Sequence, residues 1–315
     1  MGAGYSLMDN YDTWITDINI PDVFITLAEG TEQIRQRYPR HHQMIVRAHA
    51  HAVDCLRNAL QNLNQKTPHV PLPAQTLEIL TDVFEVDVTP AMLQRLRSSC
   101  VQLLDALTSD ALDPHSSPRY WDGLNEEGHE GNHAFVWEGD PQQRIFLTEK
   151  FFDLPIETMM YSSHERTQAQ LYAHHQAASL LHELSHQVLK TVDLAYLDTF
   201  LPLHQHYDDL GGMYGQAQVY ARSLLKIRQE GLSLSTPLAK LFTRPSPGGR
   251  RDFRPSDGRQ RKTVLQLTGK THLADARVAF RTDPEVRSKL ILANADSVTL
   301  LVFRLGQEVF TPPSS

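Results

Sequence analysis

Cysteine is scarce in this chain, with only Cys55 and Cys100 among 315 residues. Two thiols allow one disulfide at most, which excludes a disulfide-stapled scaffold and suggests a reducing compartment at some stage. Both fall on the apolar faces of expected helices, where a thiol behaves as a small hydrophobe. They are also too few and too isolated for a zinc ribbon. Long apolar runs are missing as well: nothing approaches the roughly 20 residues that span a bilayer. The opening MGAGYSLMDNYDTW has neither the basic start nor the hydrophobic stretch of a secretory signal. A soluble chain with no signal peptide and no transmembrane segment is therefore expected. Positive charge is not in excess, and a formal charge of -7 gives no general attraction to nucleic acid. No internal repeat is present. What remains, 41% hydrophobic and 21% charged residues, suits a globular protein with one large core or two small ones.

The pattern of apolar residues predicts an α+β fold, helix-rich, with a small antiparallel sheet. Residues 1–40 read as a lead-in with a helical piece around Asp22–Tyr38. A domain over 41–310 follows, and 311–315 form a tail. Met44, Ala48, Ala52, Cys55, Ala59 and Leu63 recur at helical spacing and mark a helix over His41–Asn64. Thr89-Pro90 supplies an N-cap and a first-turn proline for a second helix, with Leu93, Leu96, Cys100, Leu103 and Leu107 as its stripe. Asp113–Asn132 reads as a polar loop, and His133–Trp137 with Arg144–Thr148 as an antiparallel hairpin. Arg166–Lys190 is the strongest helix, free of proline and glycine. Further helices are expected over Gln216–Gln229 and Pro284–Leu305. Between them, Arg244–Lys262 carries seven basic residues against two acids, with three prolines and three glycines, the composition of a mobile basic insertion.

Histidine is abundant, at 16 residues, and two of them stand out. His182 and His186 are four apart on the strongest helix, so their rings leave from one face and can grip a single ion. Imidazole nitrogen suits Zn²⁺, which binds it at about 2.0–2.1 Å in tetrahedral geometry. Glu183, turned about 100° around a helix of 3.6 residues per turn, can act on water beside that ion without becoming a ligand. The flanking Ala177, Leu180, Leu181, Leu184 and Val188 imply a buried helix, and His175, Ser179, His182 and His186 form a polar stripe along it that needs partners. A catalytic zinc needs a third protein ligand, and the nearest acid downstream is Asp193.

The run His182-Glu183-Leu184-Ser185-His186 followed by Thr191, Asp193 and Tyr196 resembles the aspzincins, the deuterolysin and lysine-specific metalloendopeptidase group. Their signature is His-Glu-x-x-His and then Gly-Thr-x-Asp-x-x-Tyr-Gly; here Lys190 and Leu197 replace the two glycines. Arg144–Pro155 and Leu292–Thr299 (LANADSVT) resemble two further segments of that family, so the likeness spans roughly 43–308. The resemblance implies a zincin-like α+β fold, one zinc per chain, and endopeptidase activity on protein substrates. It implies Asp193 as third ligand, Tyr196 as donor to the oxyanion, and Asp296 as an acid lining the pocket for the side chain after the cut bond. Lysine-specific members carry a second acid where this chain has Thr299, so strict lysine selectivity is not expected. By analogy with zincin modules of bacterial toxins, the chain is read as an effector or toxin protease. A specialised secretion system would deliver it, and its substrate would be a protein of a host or competitor cell.

Other readings stay open at this level. A distant glutamate, Glu230 or Glu285, could serve as third ligand, and His204 and His206 offer alternative imidazoles. A helical binding protein that keeps the fold without catalysis is the alternative outside enzymology.

Overall fold

The structure, a computed structural model, describes residues 23–64, 72–126, 133–153, 169–195, 232–246 and 249–307. In chain order its elements are β1 (Phe24–Glu29), α1 (Gly30–Arg37), α2 (Pro39–Asn62), α3 (Ala74–Phe84), α4 (Pro90–Leu107), β2 (Tyr120–Asn125), β3 (Ala134–Val136), β4 (Ile145–Leu147), α5 (Glu149–Phe152), α6 (Ala169–Val188), β5 (Thr243–Ser246), β6 (Gly249–Asp252), α7 (Gly258–Thr268), α8 (Leu273–Thr282), α9 (Pro284–Leu292) and α10 (Ala295–Gly306). The fold is α+β and helix-rich. None of the described helices is long and apolar enough to cross a membrane.

Two helices behave as their sequences dictate. The α2 stripe of Ile45, Ala48, Ala52, Leu56 and Ala59 is buried to 1% exposure or less and forms the centre of the core against α4, α6 and α10. At α4, Thr89 caps the first turn by accepting a hydrogen bond from the Met92 amide at 3.3 Å, ahead of the first-turn proline. α10 crosses α2 closely because Gly306 has no side chain: a Cβ there would sit on the Cys55 carbonyl. Asn58 and Asn62 of α2 then donate to the Gly306 and Leu305 carbonyls at 3.1 and 2.7 Å, satisfying the C-terminal end of α10.

The main sheet has the order β1-β2-β4-β3 and is mixed, not purely antiparallel as expected. β3 and β4 do form the antiparallel hairpin read from the sequence, but β4 inserts between β3 and β2 and runs parallel to β2. Asp140 sets the turn between them. Its buried carboxylate accepts from the Gln142 and Arg144 amides and from the Arg144 guanidinium at 2.8 Å. β2 itself falls inside the stretch expected to be a polar loop. Tyr120 is fully buried, and Gly123 is needed because any Cβ would strike the Phe24 ring and the Ile25 carbonyl of β1. The described part of the lead-in, from Val23 on, likewise packs into the domain. Phe24 packs edge-on against Phe135 and Phe146, and only the second half of the expected helix is helical.

The basic segment is not a loop among its described residues. β5 and β6 pair antiparallel, and α7 begins at Gly258. The cause is Asp257, whose fully buried carboxylate binds Arg244 at 3.0 Å, Arg251 at 2.6 Å and the Arg254 amide. A composition-based reading misses this because it counts charges without pairing them. The expected Gln216–Gln229 helix lies outside the described residues.

Candidate metal centre

From His174 to Ser185 helix α6 is buried all round, so its polar side chains need partners. Ala177, Ala178, Leu180, Leu181 and Leu184 are each 1% exposed or less. At about 1.5–3 kcal/mol per buried leucine, these contacts hold the helix in place. Gln176 donates to the Phe151 carbonyl at 3.1 Å, and Ser185 Oγ to the His182 carbonyl at 2.7 Å. His175, at the head of the polar stripe, faces His133 Nδ1 at 3.3 Å and the Lys150 carbonyl at 3.4 Å. Burial, with His133 beside it, holds His175 well below the usual histidine value and keeps it neutral.

His182 and His186 meet at the last turns of α6. Their Nε2 atoms lie 3.2 Å apart, with the two rings nearly perpendicular. Asp193 Oδ1 completes a triangle, 3.3 Å from His182 Nε2 and 3.5 Å from His186 Nε2. The three side chains are 11%, 11% and 8% exposed.

The chain is brought back over the helix end by a specific set of contacts. α6 stops at Val188, and Lys190 takes the left-handed conformation (φ 59°) that reverses the chain after a helix. The glycine at this place in the aspzincin signature would adopt it without strain. Thr191 Oγ1 then bonds Ser185 Oγ at 2.7 Å. Val192 forms a parallel bridge with Asn294, in which its amide donates to the Ala293 carbonyl at 2.9 Å and its carbonyl accepts from the Ala295 amide at 3.2 Å. Asn294 Oδ1 accepts from the amides of Leu194 and Ala195 at 2.9 and 3.1 Å. Asp193 is thus clamped on both sides. The same clamp splits the expected Pro284–Leu305 helix into α9 and α10, since Asn294 leaves helical geometry to make it.

The tautomers follow from the outer partners. His182 Nδ1 lies 2.6 Å from Asp296 Oδ1, and His186 Nδ1 lies 2.9 Å from the Thr191 carbonyl. Both partners accept only, so both Nδ1 atoms carry the proton. A neutral pair of rings therefore points two Nε2 lone pairs at each other and at a carboxylate oxygen. Asp193 Oδ1 and Glu183 Oε2 are buried and have no hydrogen-bond partner among the described residues. Such a convergence requires a cation at its centre, either protons or a metal. With no metal, burial opposes charge on the two histidines, but the carboxylates outweigh it. Asp296 and Asp193 hold His182 well above its usual value, and Asp193 holds His186 above its own. Burial would raise Asp193, yet the two histidines overcome it and hold the carboxyl far below the usual range. His182, His186 and Asp193 form a buried cluster that could hold a metal ion. Glu183 is pushed up to about 7 by burial, against the pull of the two histidines.

The remaining sequence candidates fall differently. Asp296 and Thr299 are each 1% exposed, and neither lines open space. Asp296 is bound to His182, and Thr299 Oγ1 donates to the Ala295 carbonyl at 3.0 Å within α10. Neither side chain is open to a substrate, as the pocket reading needs: Asp296 is turned to His182, and Thr299 is internal to its helix. Glu285 is engaged by Arg95 at 2.6 Å and is no part of the cluster. Tyr196, His204, His206 and Glu230 lie outside the described residues. Sequence reading missed the structural role of Asn294, although an asparagine between two helical patterns was the available signal. A cleft opens on the cluster, lined by His186, Asp193, Val136, Trp137, Lys190 and Arg259 among others. No protein-family model, no curated protein and no solved structure matches this chain.

Proposed function

We propose that the chain is a zinc-dependent endopeptidase of the aspzincin kind, with His182, His186 and Asp193 as zinc ligands. The observation that carries this reading is the triangle of donor atoms, with sides of 3.2, 3.3 and 3.5 Å. Three corners of a tetrahedron centred about 2.0–2.1 Å away are about 3.3–3.4 Å apart, so the triangle fits zinc and leaves a fourth corner for other chemistry. Two imidazoles and one carboxylate are also a donor set suited to zinc and poor for magnesium or calcium. Zinc, when bound, supplies Lewis acidity that polarises a carbonyl and makes water acidic near neutral pH.

The chain's own groups do the rest. Glu183, buried and poised near 7, takes the proton from the attacking water and returns it to the departing amine. Asp296 and the Thr191 carbonyl fix the rings of His182 and His186. β3 is the last of the described strands of the sheet, and Val136 and Trp137 at its end border the cleft, where an extended peptide could run. Tyr196 is assigned to the oxyanion by the resemblance alone. The protein substrate and the toxin-like delivery rest on the same resemblance.

The test is hydrolysis of a labelled, unfolded protein by the zinc-loaded chain and by Glu183→Gln. Turnover should fall at least about 10²–10⁴-fold while zinc and fold are kept. Equal turnover in the two proteins, or none in either, would end the hydrolase reading.

A further inference from the structure

The charges around the cleft do not balance. Its acidic members are Glu138, Asp140 and Asp193, and its cationic members besides His186 are Lys190 and Arg259. Asp140 is spent on Arg144 at 2.8 Å, with its own side chain fully buried. Asp193 faces the two histidines. Among the described residues that line the cleft, Glu138 alone is left against two cations. Asp296, the acid that a lysine-selecting pocket would need, points into the core at His182.

The two cations are held in place and remain available. Lys190 is exposed at the turn just past α6, one residue from the Thr191 clamp, and has no ion pair among the described residues. Arg259 sits in the first turn of α7, whose start is anchored by the buried Asp257. Its guanidinium reaches across the cleft to Glu138 through a single contact of 3.4 Å, and that glutamate is 44% exposed. A long, solvated ion pair of this kind is weak. An incoming carboxylate that meets the guanidinium in two-point geometry displaces it.

We infer that the cleft selects an acidic peptide segment, with Lys190 and Arg259 reading an aspartate or glutamate side chain close to the cut bond. The peptide nature of the occupant rests on the hydrolase reading above; the preference for acid rests on the cleft.

The experiment measures two things on the zinc-loaded full chain. Equilibrium binding is read by fluorescence anisotropy with Glu183→Gln, using labelled peptides that differ only in one central Glu, Gln or Lys. Cleavage-site preference is read on a peptide library with Glu183 present. The Glu peptide should bind about tenfold tighter than the Gln peptide and tighter still than the Lys peptide, with the gap shrinking at high salt. The double substitution Lys190→Gln/Arg259→Gln should erase the preference, and Lys190→Glu/Arg259→Glu should turn it towards Lys. Binding that does not distinguish the three peptides, or that keeps its preference in both double variants, overturns the inference whether or not anything is cut. Acid-selective binding with no cleavage supports the inference and counts against the hydrolase reading.

Discussion

Asp296→Asn removes the charge behind His182 while keeping the shape of the side chain. The bond it weakens is short, 2.6 Å between His182 Nδ1 and Asp296 Oδ1, and the aspartate is 1% exposed. Charge-assisted bonds are roughly twice as strong as neutral ones, and losing the outer partner of a metal-binding histidine lowers metal affinity about 10–100-fold. That is about 1.4–2.7 kcal/mol. An opposing effect must be weighed. The same carboxylate raises His182 in the metal-free chain, so its removal also weakens the proton that zinc must displace. Proton competition operates only below the folded titration of His182. The loss should therefore be smaller at low pH and grow as pH rises through that titration. Zinc affinity is measured by competition with chelators of graded strength across this range. Affinity equal to wild type at every pH refutes the reasoning. A changed cleavage-site preference with intact zinc affinity would return Asp296 to a substrate pocket.

Two further outcomes follow from the same site and its packing. In the metal-free chain His182 and His186 titrate above their unfolded value of about 6.5, so their contribution to stability is complete below that pH and fades as pH rises through the folded values. Zinc needs both rings unprotonated, so the gap in Tm between zinc-loaded and chelator-treated protein should widen from pH 6 to pH 9; a constant or narrowing gap would show that these rings do not hold the metal. Gly306→Ala should destabilise the fold by about 1–3 kcal/mol, because the new methyl would meet the Cys55 carbonyl. Urea unfolding reads this, and an unchanged midpoint would mean that α10 can move off α2.

The parts of the fold that sequence reveals are those with a period. α2, α4 and α6 repeat their apolar residues every three or four positions and fall where the pattern places them. The geometric pairing of His182 with His186 is legible for the same reason, since a helix fixes which side chains share a face. What stays hidden depends on partners distant in sequence. Asp257 looks like one acid in a basic run until Arg244 and Arg251 close on it. Gly123 looks like a loop residue until Phe24 lies across it. Asp296 resembles a pocket acid by motif, yet its direction is set by the turn at Asn294, which the helical pattern runs straight through. Asp193 lies between these cases. Its nearness in sequence made it a candidate, but only the Val192–Asn294 bridge carries it back to the histidines.

The most direct measurement of the central claim is elemental analysis of the purified chain and of three variants, His182→Ala, His186→Ala and Asp193→Ala, with folding checked by circular dichroism. Wild type should carry about one zinc per chain, as a single tetrahedral site demands, and each variant should lose it. Zinc retained in folded Asp193→Ala, or a wild type that takes up no zinc when offered it, would contradict the metal centre described here.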